Sequence, residues 1–347
     1  MGSKILHIGH LDKFISDFIN VVEDDFDISQ HEYRFFGKKE KYSIKTRSRV
    51  YIEHDLSWFN LVVMFNLVRA MVKADKIIVH GLVSNDLVKL LWLMPWILKK
   101  TYWVILGLDL YRYQKRNTNF SSKFKEFFRR PVIKNMGHLV TYIKGDYELA
   151  QQWYGTKGQY HECFMYPSNL YKEYDVPKKQ HTGINILVGN SADPSNNHLD
   201  VFDKLEAFKA QDIKIYAPLT YGNPDYAKTI IEQGKQRFGD KFDAFIEHMP
   251  FNQYLDVLGK IDIAIFNHKR QQAMGNTITL LGLGKKVFMR SDVTQWEFFK
   301  SHDIVVYDIE YFEISQFDQS ILDRNKETVK QFFSYENYIV QLHELFN

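Results

Sequence analysis

A polar, glycine-containing loop late in the chain carries residue types that bind phosphate. It reads Arg270-Gln-Gln-Ala-Met-Gly-Asn-Thr277 and lies between two apolar runs, 261–266 and 286–289, that we predict to be strands. A helix that begins in such a loop presents free backbone N–H groups and the positive end of its dipole to an anion. We therefore expect the diphosphate of a nucleotide-linked donor to bind at Arg270, Gln271, Gln272, Gly275, Asn276 and Thr277. The alternative is an ordinary capped helix of a Rossmann-like layer.

Individual residues of this loop have distinct expected roles. Arg270 supplies a fixed charge with a bidentate set of donors. Gly275 lets the backbone approach a ligand closely, because it has no side chain. Asn276 and Thr277 are typical residues at the start of a helix, and we expect them to cap it.

A second polar segment directly follows another predicted strand, residues 184–188. It reads Gly189-Asn-Ser-Ala-Asp-Pro-Ser-Asn-Asn-His198. Ligands of open α/β sheets bind beyond the carboxyl ends of the strands. We therefore predict that Gly189, Asn190 and Ser191 contact the same donor, and the alternative is a tight capped turn that binds nothing.

Two residues near the ends of earlier predicted strands could handle an acceptor hydroxyl. His80 ends the run Ile78-Val-His80, and Asp109 follows the run that begins at Thr101. At the carboxyl end of a strand, either side chain would point into a ligand cleft and act as a base or a hydrogen-bond acceptor. The alternatives are a turn histidine for His80 and a cap or turn residue for Asp109.

The charge of the chain is divided unevenly. Residues 1–180 contain 28 Lys and Arg against 19 Asp and Glu, whereas residues 181–347 contain 17 against 23. A basic half suggests a negatively charged partner, and an anionic membrane surface or a pyrophosphate-linked lipid fits better than nucleic acid, whose recognition motifs are absent.

Trp92 and Trp96 lie four residues apart on an apolar helix with a basic end, which is typical of a bilayer interface or of a buried helix. Arg129 and Arg130 belong to a basic cluster that would face lipid or only solvent: Lys115, Arg116, Lys123, Lys125, Arg129, Arg130 and Lys134.

Several classes of protein and site are not expected. The single cysteine, Cys163, leaves no internal disulfide and fits a reducing cytosol. The chain starts on an apparent strand rather than a signal peptide, and its longest apolar run, Leu87–Leu98, is too short to span a bilayer. The DxD-like segment Asp25-Phe-Asp27 precedes any complete nucleotide-binding unit. We therefore predict no essential metal and no cofactor.

Alternating strand and helix patterns predict an α/β fold. The pattern occurs twice and is interrupted by a polar, aperiodic segment, residues 174–183, that we interpret as a linker. The expected architecture is two Rossmann-like domains with a cleft between them. The first domain would cover residues 1–175 and the second, nucleotide-binding domain residues 183–324, with a helical tail at residues 325–347 that could cross back over the hinge.

Five segments resemble those of a known family. They are Ile186–His198, Arg270–Thr277, Gly107-Leu-Asp-Leu-Tyr111, Lys144-Gly-Asp146 and His80-Gly81. Their order and spacing are similar to those of the TDP-Fuc4NAc:lipid II Fuc4NAc transferases of glycosyltransferase family 56. The resemblance implies a GT-B fold, a TDP- or UDP-linked sugar donor and a polyprenyl-diphosphate-linked glycan acceptor. It also implies a cytoplasmic, peripheral protein at the inner face of the bacterial membrane, acting in enterobacterial common antigen, O-antigen or capsule synthesis.

Three hypotheses remain open on the sequence. The leading one is a metal-independent glycosyltransferase in which Arg270 offsets charge on the leaving diphosphate. The second is a nucleotide-sugar epimerase of the same fold, which would need acid and base carboxylates beside the phosphate loop. The third is a non-catalytic scaffold that binds a lipid-linked glycan.

Overall fold

The fold consists of two compact α/β units. The computed structural model describes residues 4–38, 49–58, 60–116, 118–174, 176, 181–247, 249–314 and 318–347. The N-terminal unit contains Met1–Ser168 and Tyr335–Asn347, and the C-terminal unit contains Asn169–Ser334. The tail predicted at residues 325–347 is therefore divided between the units rather than forming a separate element. Residues 175 and 177–180 of the predicted linker lie outside the described residues.

The N-terminal unit is built on a seven-stranded sheet in which all pairings are parallel. Its order is β3-β2-β1-β4-β5-β6-β7. Most of its residues are buried, as expected for a parallel sheet covered on both faces. The strands are β1 (Ile5–His10), β2 (His31–Phe36), β3 (Val50–Glu53), β4 (Lys76–His80), β5 (Thr101–Val104), β6 (His138–Val140) and β7 (Gln159–His161).

Among its described residues, this unit has six α-helices: α1 (Lys13–Asp25), α2 (Leu61–Lys73), α3 (Asn85–Leu93), α4 (Phe120–Lys134), α5 (Lys144–Tyr154) and α12 (Tyr335–Phe346). Helices α2, α3, α4 and α5 share one hydrophobic core and therefore cover the same face of the sheet. The Lys76 Nζ donates hydrogen bonds to the last carbonyls of α12, those of Leu345 and Phe346, at 3.2 and 3.0 Å. This cation stabilises the end of α12 in the N-terminal unit.

The apolar helix predicted to carry both Trp92 and Trp96 is shorter in the structure. Helix α3 ends at Leu93, and Pro95–Lys100 forms a separate 3₁₀ turn. Met94 has φ −122° and ψ 59°, which lies outside the helical region. Helical backbone angles are unfavourable for the residue that precedes a proline. At the other end, the Ser84 side chain caps α3 by accepting from the Leu87 N–H.

The C-terminal unit contains a six-stranded parallel sheet in the order β10-β9-β8-β11-β12-β13. Its strands are β8 (Ile184–Val188), β9 (Ile213–Pro218), β10 (Phe242–Phe245), β11 (Ile263–Phe266), β12 (Lys286–Met289) and β13 (Tyr307–Asp308). Its helices are α6 (His198–Leu205), α7 (Pro224–Phe238), α8 (Phe251–Lys260), α9 (Met274–Gly282), α10 (Thr294–Ser301) and α11 (Gln319–Phe332). The strand order reverses between β8 and β11, which defines the topological switch point of this sheet.

Across the part of the chain that the structure describes, no helix combines the length and the apolar character required to cross a lipid bilayer.

Candidate active site

The two predicted phosphate loops start side by side at the switch point of the C-terminal sheet. Strands β8 and β11 are hydrogen-bonded neighbours. The Gly189 N–H, immediately after β8, donates to the Ile265 carbonyl of β11 at 2.9 Å. The two loops that follow, 189–197 and 267–273, therefore leave the same edge of the sheet, where open α/β sheets bind ligands.

The turn at Gly189 requires a glycine. Its φ is +69°, a region that residues with a side chain rarely adopt. A Cβ at this position would lie 2.6 Å from the His198 Nε2 and 2.7 Å from the Asn196 Oδ1, and both side chains are fully buried. The absence of a side chain at Gly189 thus lets the loop close over two buried polar groups.

Asn196 is the centre of the hydrogen bonds that shape the first loop. Its Oδ1 accepts from the Asn190 N–H at 2.8 Å and lies 2.9 Å from the His268 Nε2. Its Nδ2 donates to the Ser191 Oγ at 3.2 Å and to the Asp193 carbonyl at 2.9 Å. Asn196 therefore fixes the positions of Asn190 and Ser191, two of the residues predicted to contact a donor. In the sequence, Asn196 is recognisable only as part of a capped turn.

His268 connects the second loop to the first as a neutral donor. Its Nε2 lies within hydrogen-bonding distance of two side-chain amide oxygens, those of Asn196 and, at 3.2 Å, Asn190. Two acceptor oxygens require that Nε2 carries the proton. Burial, followed by the charge of Arg270, lowers the pKa of His268 to about 3, so the imidazole is uncharged near neutral pH.

Gln272 makes the other connection between the two loops. Its Nε2 donates to the Asn190 Oδ1 at 3.3 Å, and its Oε1 accepts from the Ser195 Oγ at 2.9 Å. Its backbone N–H and carbonyl both pair with the buried side chain of Gln295, at 3.2 and 2.8 Å. The predicted donor residues Asn190 and Gln272 are thus brought into direct contact, and the surrounding network holds them in place.

Helix α9 begins earlier than the sequence predicted, and it is not capped by Asn276 or Thr277. It starts at Met274, with Gly275 as its second residue and with Ala273 as the preceding residue, in the left-handed conformation at φ 60°. Thr277 is buried and its Oγ1 donates to the Ala273 carbonyl at 3.0 Å. The Asn276 side chain lies near the Tyr254 hydroxyl, where it partly offsets the rise in the tyrosine pKa that burial causes. Because alanine has no side-chain acceptor, the first turn of α9 begins without a side-chain cap.

Arg270 is the cation of the second loop. It is partly buried, and its Nη1 donates to the Gln271 carbonyl at 3.1 Å, which holds the guanidinium close to its own backbone. Lys269, the preceding residue, is exposed. The loop therefore combines a positive charge with the amino end of α9, and both features favour an anion.

Tyr221 is a residue of this edge that sequence analysis missed. The Asn190 Nδ2 donates to its hydroxyl at 3.0 Å, and the Ala192 N–H donates to its carbonyl at 2.7 Å. The residue nevertheless keeps 56% of its surface exposed, so an aromatic ring with a fixed hydroxyl stands beside the first loop. The signal in the sequence was the Tyr-Gly-Asn turn after β9, at residues 221–223.

Asp109 of the N-terminal unit does not point into open space as predicted. It is fully buried, and its carboxylate accepts four hydrogen bonds. The Leu82 N–H and the Trp103 Nε1 donate to Oδ2 at 2.9 and 2.7 Å, and the Leu106 and Leu110 N–H groups donate to Oδ1 at 3.0 Å each. Both oxygens are occupied, so the geometry gives Asp109 a structural role, joining the loops after β4 and β5.

His80 is also buried, and both of its ring nitrogens have partners. Its Nδ1 lies 2.8 Å from the Tyr166 hydroxyl and its Nε2 lies 3.0 Å from the His7 Nδ1. The His7 Nε2 continues the chain to the His31 Nδ1 at 2.9 Å. Burial lowers the pKa of His80 to about 3, so this imidazole is neutral and already engaged. The prediction that His80 points toward a ligand is therefore not met.

The predicted membrane residues are divided between surface and interior. Arg129 is buried, contrary to expectation, and its guanidinium donates to the Leu82 and Asp109 carbonyls at 2.6 Å each. Arg130 is exposed, as are Trp92, with 37% of its surface, and Trp96, with 65%.

The exposed tryptophans belong to a larger apolar surface on α2, α3 and α4 and the turn after α3. We call it the outer apolar surface, and its residues are Leu61, Val62, Phe65, Val72, Trp92, Leu93, Trp96, Phe120, Phe124 and Phe127. These helices cover the same face of the N-terminal sheet. Large exposed apolar side chains gathered on neighbouring helices are typical of interaction sites.

The acidic segment at residues 25–27 has structural partners. Asp27 accepts from the Ser29 N–H at 2.9 Å and from the Gln30 Nε2 at 3.1 Å, and the Tyr335 hydroxyl donates to Asp25 at 2.6 Å. Within the described ranges, no group of three or more His, Cys, Asp or Glu residues is arranged to hold a metal ion.

Comparisons with known proteins agree on fold and family. The structure of Anabaena Alr3699/HepE in complex with UDP-glucose superposes with a TM-score of 0.69 at 10% identity, covering 99% of both chains. A glycosyltransferase from Rickettsia africae gives 0.65 at 17% identity, and WaaG, a glycosyltransferase involved in lipopolysaccharide biosynthesis, gives 0.59 at 11%; each comparison covers 99% of this chain and 98% of the other. These likenesses show the fold alone and confirm the predicted GT-B class.

The family model described as 4-alpha-L-fucosyltransferase, glycosyl transferase group 56, matches residues 18–345 and confirms the resemblance. The chain is therefore a glycosyltransferase that belongs to glycosyl transferase group 56.

Proposed function

We propose that this glycosyltransferase moves a deoxyamino sugar such as Fuc4NAc from a TDP- or UDP-linked donor to a polyprenyl-diphosphate-linked glycan in bacterial surface polysaccharide synthesis. The observation that carries the proposal is the switch-point network of the C-terminal unit. There, Asn190 and Gln272 are held in contact beside Arg270 and the uncapped amino end of α9.

The donor diphosphate would bind across the two loops. The N–H groups in the first turn of α9 and the Arg270 guanidinium supply donors and positive charge on one side. The Asn190 and Ser191 region supplies polar groups on the other side, in a geometry fixed by Asn196. Positions that are already fixed cost little reorganisation when charge develops on the leaving nucleoside diphosphate, and this is the main source of catalytic stabilisation in such sites.

The acceptor hydroxyl requires a group other than Asp109 or His80, whose polar atoms are engaged. His10 ends β1, next to β4 at the switch point of the N-terminal sheet, and its side chain is exposed. We propose His10 as the residue that accepts the proton of the acceptor hydroxyl. In a folded protein, His10→Gln should lower kcat while leaving the affinity for nucleoside diphosphate unchanged. Normal turnover in this variant would remove His10 from the reaction.

The outer apolar surface supports a location at a membrane. The exposed phenylalanines of α4 share that helix with exposed cations, among them Lys123, Lys125 and Arg130. An apolar face bordered by lysine and arginine is typical of proteins that rest on an anionic bilayer, where the acceptor lipid also resides. Binding to vesicles should therefore require anionic lipid and weaken as salt screens the charges.

A transfer assay with a lipid-linked acceptor and nucleotide-linked sugars tests the proposal. Formation of a glycosylated lipid together with a free nucleoside diphosphate is the expected result. Conversion of the nucleotide sugar to an isomer without any acceptor would instead identify an epimerase. Binding of the lipid without stabilisation by TDP or UDP in a thermal-shift measurement would identify a scaffold.

A further inference from the structure

A cavity of about 220 Å³ lies between α3 and α4 of the N-terminal unit, at the border of the outer apolar surface. It has the volume of roughly seven water molecules at about 30 Å³ each, which is enough for a phosphate group and part of its substituents. Its lining residues are Asn85, Val88, Lys89, Phe124, Lys125, Phe128 and Arg129.

All the charged side chains that line this cavity are positive. Lys89, Lys125 and Arg129 contribute three cations, and the lining contains no carboxylate. Lys89 also contacts Asp86 at 3.1 Å, outside the lining. The Arg129 guanidinium donates to two backbone carbonyl oxygens, those of Leu82 and Asp109. Such an arrangement favours an anion.

The remaining walls are apolar and continue onto the surface. Val88, Phe124 and Phe128 line the cavity, and Phe124 keeps 53% of its surface exposed. Trp92 packs edge-on against Phe128 with ring centroids 5.1 Å apart, and it lies 6.3 Å from Phe127. A ligand held by its charge in the cavity would therefore lie with its neighbouring groups on exposed aromatic rings.

We propose that the α3–α4 cavity binds the phosphate headgroup of an anionic membrane lipid, with the acyl chains of that lipid directed onto the outer apolar surface. The charge selects a phosphate, and the aromatic border selects a phosphate that carries hydrocarbon over a free phosphate ion. This inference rests on the proposed membrane location and goes beyond it, because it assigns a discrete site rather than a general attraction of basic residues to a charged bilayer.

Two lysines of α4 provide a matched pair of variants. Lys125 lines the cavity, whereas Lys123 does not; both are exposed on the same helix and carry the same charge. Reversal of either charge changes the general attraction to an anionic bilayer by the same two units. Only Lys125→Glu places a negative charge in the proposed site. Both positions are exposed, so both variants should fold, and circular dichroism and thermal unfolding will verify this.

The full-length protein should be titrated with dihexanoyl phosphatidylglycerol below its micelle concentration. Dihexanoyl phosphatidylcholine and inorganic phosphate serve as separate probes in the same calorimetric experiment. We expect saturable binding of the anionic lipid only. Lys125→Glu should weaken it about tenfold or more, the factor that corresponds to about 1.4 kcal/mol. Lys123→Glu should change it less than about threefold, because a screened exposed charge contributes little.

Three results of the calorimetric titration would overturn the site. Equal losses in the two variants would mean that general electrostatics account for the binding. Equal affinity for inorganic phosphate would identify a free-anion site, and equal affinity for phosphatidylcholine would identify a purely apolar contact. Vesicle flotation of the wild type separates this test from the proposed function. Flotation that is equally sensitive to both variants leaves the membrane location intact and removes only the cavity site, whereas no flotation at all contradicts the membrane location itself.

Discussion

Gly189 and His198 lie so close together that position 189 has no room for a side chain. A Cβ there would be 2.6 Å from the His198 Nε2, and the backbone φ of +69° is itself unfavourable for other residues. The imidazole is buried, and burial lowers its pKa to about 4, so it remains neutral near pH 7. The turn into the proposed donor site therefore depends on glycine for both space and conformation.

Gly189→Ala should consequently destabilise the protein and weaken nucleoside diphosphate binding. Backbone strain alone accounts for about 1–2 kcal/mol, and the clash with His198 adds to it. Gly284→Ala is the matched control, because Gly284 has φ +70° and no atom within 4 Å of its Cβ position. Urea unfolding and calorimetry with TDP and UDP measure both effects. Equal destabilisation in the two variants, with nucleotide affinity retained, would contradict the role given to the Gly189–His198 contact.

Arg270→Ala should weaken the binding of a nucleoside diphosphate. Loss of a charge-assisted hydrogen bond costs about 1.5–3 kcal/mol, so the dissociation constant should rise by roughly 10- to 150-fold. Lys269→Ala removes the adjacent exposed charge and should have a small effect by comparison. Isothermal titration calorimetry gives both numbers. Similar losses in the two variants would indicate general attraction to the loop instead of a specific contact with Arg270.

Sugar transfer is expected to continue in excess EDTA. The positive charge that offsets the leaving diphosphate would come from Arg270 and from the amino end of α9, which begins at Met274. Asp25 and Asp27 are engaged with Tyr335, Ser29 and Gln30. Initial rates measured with and without chelator provide the test. Loss of activity that Mg²⁺ or Mn²⁺ restores would show that the side chains do not replace a metal.

The sequence predicted the fold well because strand and helix periodicity depends on local residue patterns. Strands β8 and β12 have the predicted bounds, 184–188 and 286–289. The boundaries that differ have local causes that are hard to weigh in advance. Pro95 ends α3 early, and Ala273 adopts a left-handed conformation that starts α9 before the better capping residues.

The positions of the charged side chains were harder to predict. Helix α4 reverses the usual rule: Phe124 and Phe127 are exposed, whereas Arg129 is buried. The reason is tertiary, because two loop carbonyls, those of Leu82 and Asp109, need donors at that point. Sequence spacing cannot show where such carbonyls lie. That the two polar loops lie at the same edge of the sheet was predictable, because a polar segment after a strand is a topological signal. The Asn196 network was not, because it depends on which loops meet.

Acid should destabilise the protein through the buried chain His31–His7–His80. Burial lowers the pKa of His31 to about 4 and of His80 to about 3, and burial and the two neighbouring imidazoles lower the pKa of His7 well below its usual range. Asp27 faces His31 and acts in the opposite direction. The unfolded chain binds protons near pH 6.5 while these folded imidazoles stay neutral. Stability is thus complete above about pH 6.5 and falls as the pH drops toward about 4.

Urea unfolding at several pH values measures this dependence. Each imidazole kept neutral contributes up to about 1.4 kcal/mol per pH unit within the window. His80→Gln keeps a hydrogen-bonding side chain but removes one titrating group, so the slope should decrease by about that amount. An unchanged slope in the His80 variant would mean that the chain does not control acid sensitivity.

Asp109→Asn distinguishes a structural residue from a base. Each carboxylate oxygen of Asp109 accepts hydrogen bonds from two N–H groups, and one of these donors is the Trp103 Nε1 at 2.7 Å. Asparagine would present an NH₂ group to two of these donors inside a buried site, where an unmade hydrogen bond costs about 1–3 kcal/mol. We expect a lower melting temperature, with kcat per folded molecule close to that of the wild type when measured well below the transition. A fall in kcat of about 10²-fold or more in a protein of unchanged stability would restore Asp109 as the base. His10→Gln in the same assay supplies the comparison, because its exposed side chain can change turnover without disturbing the buried hydrogen bonds of Asp109.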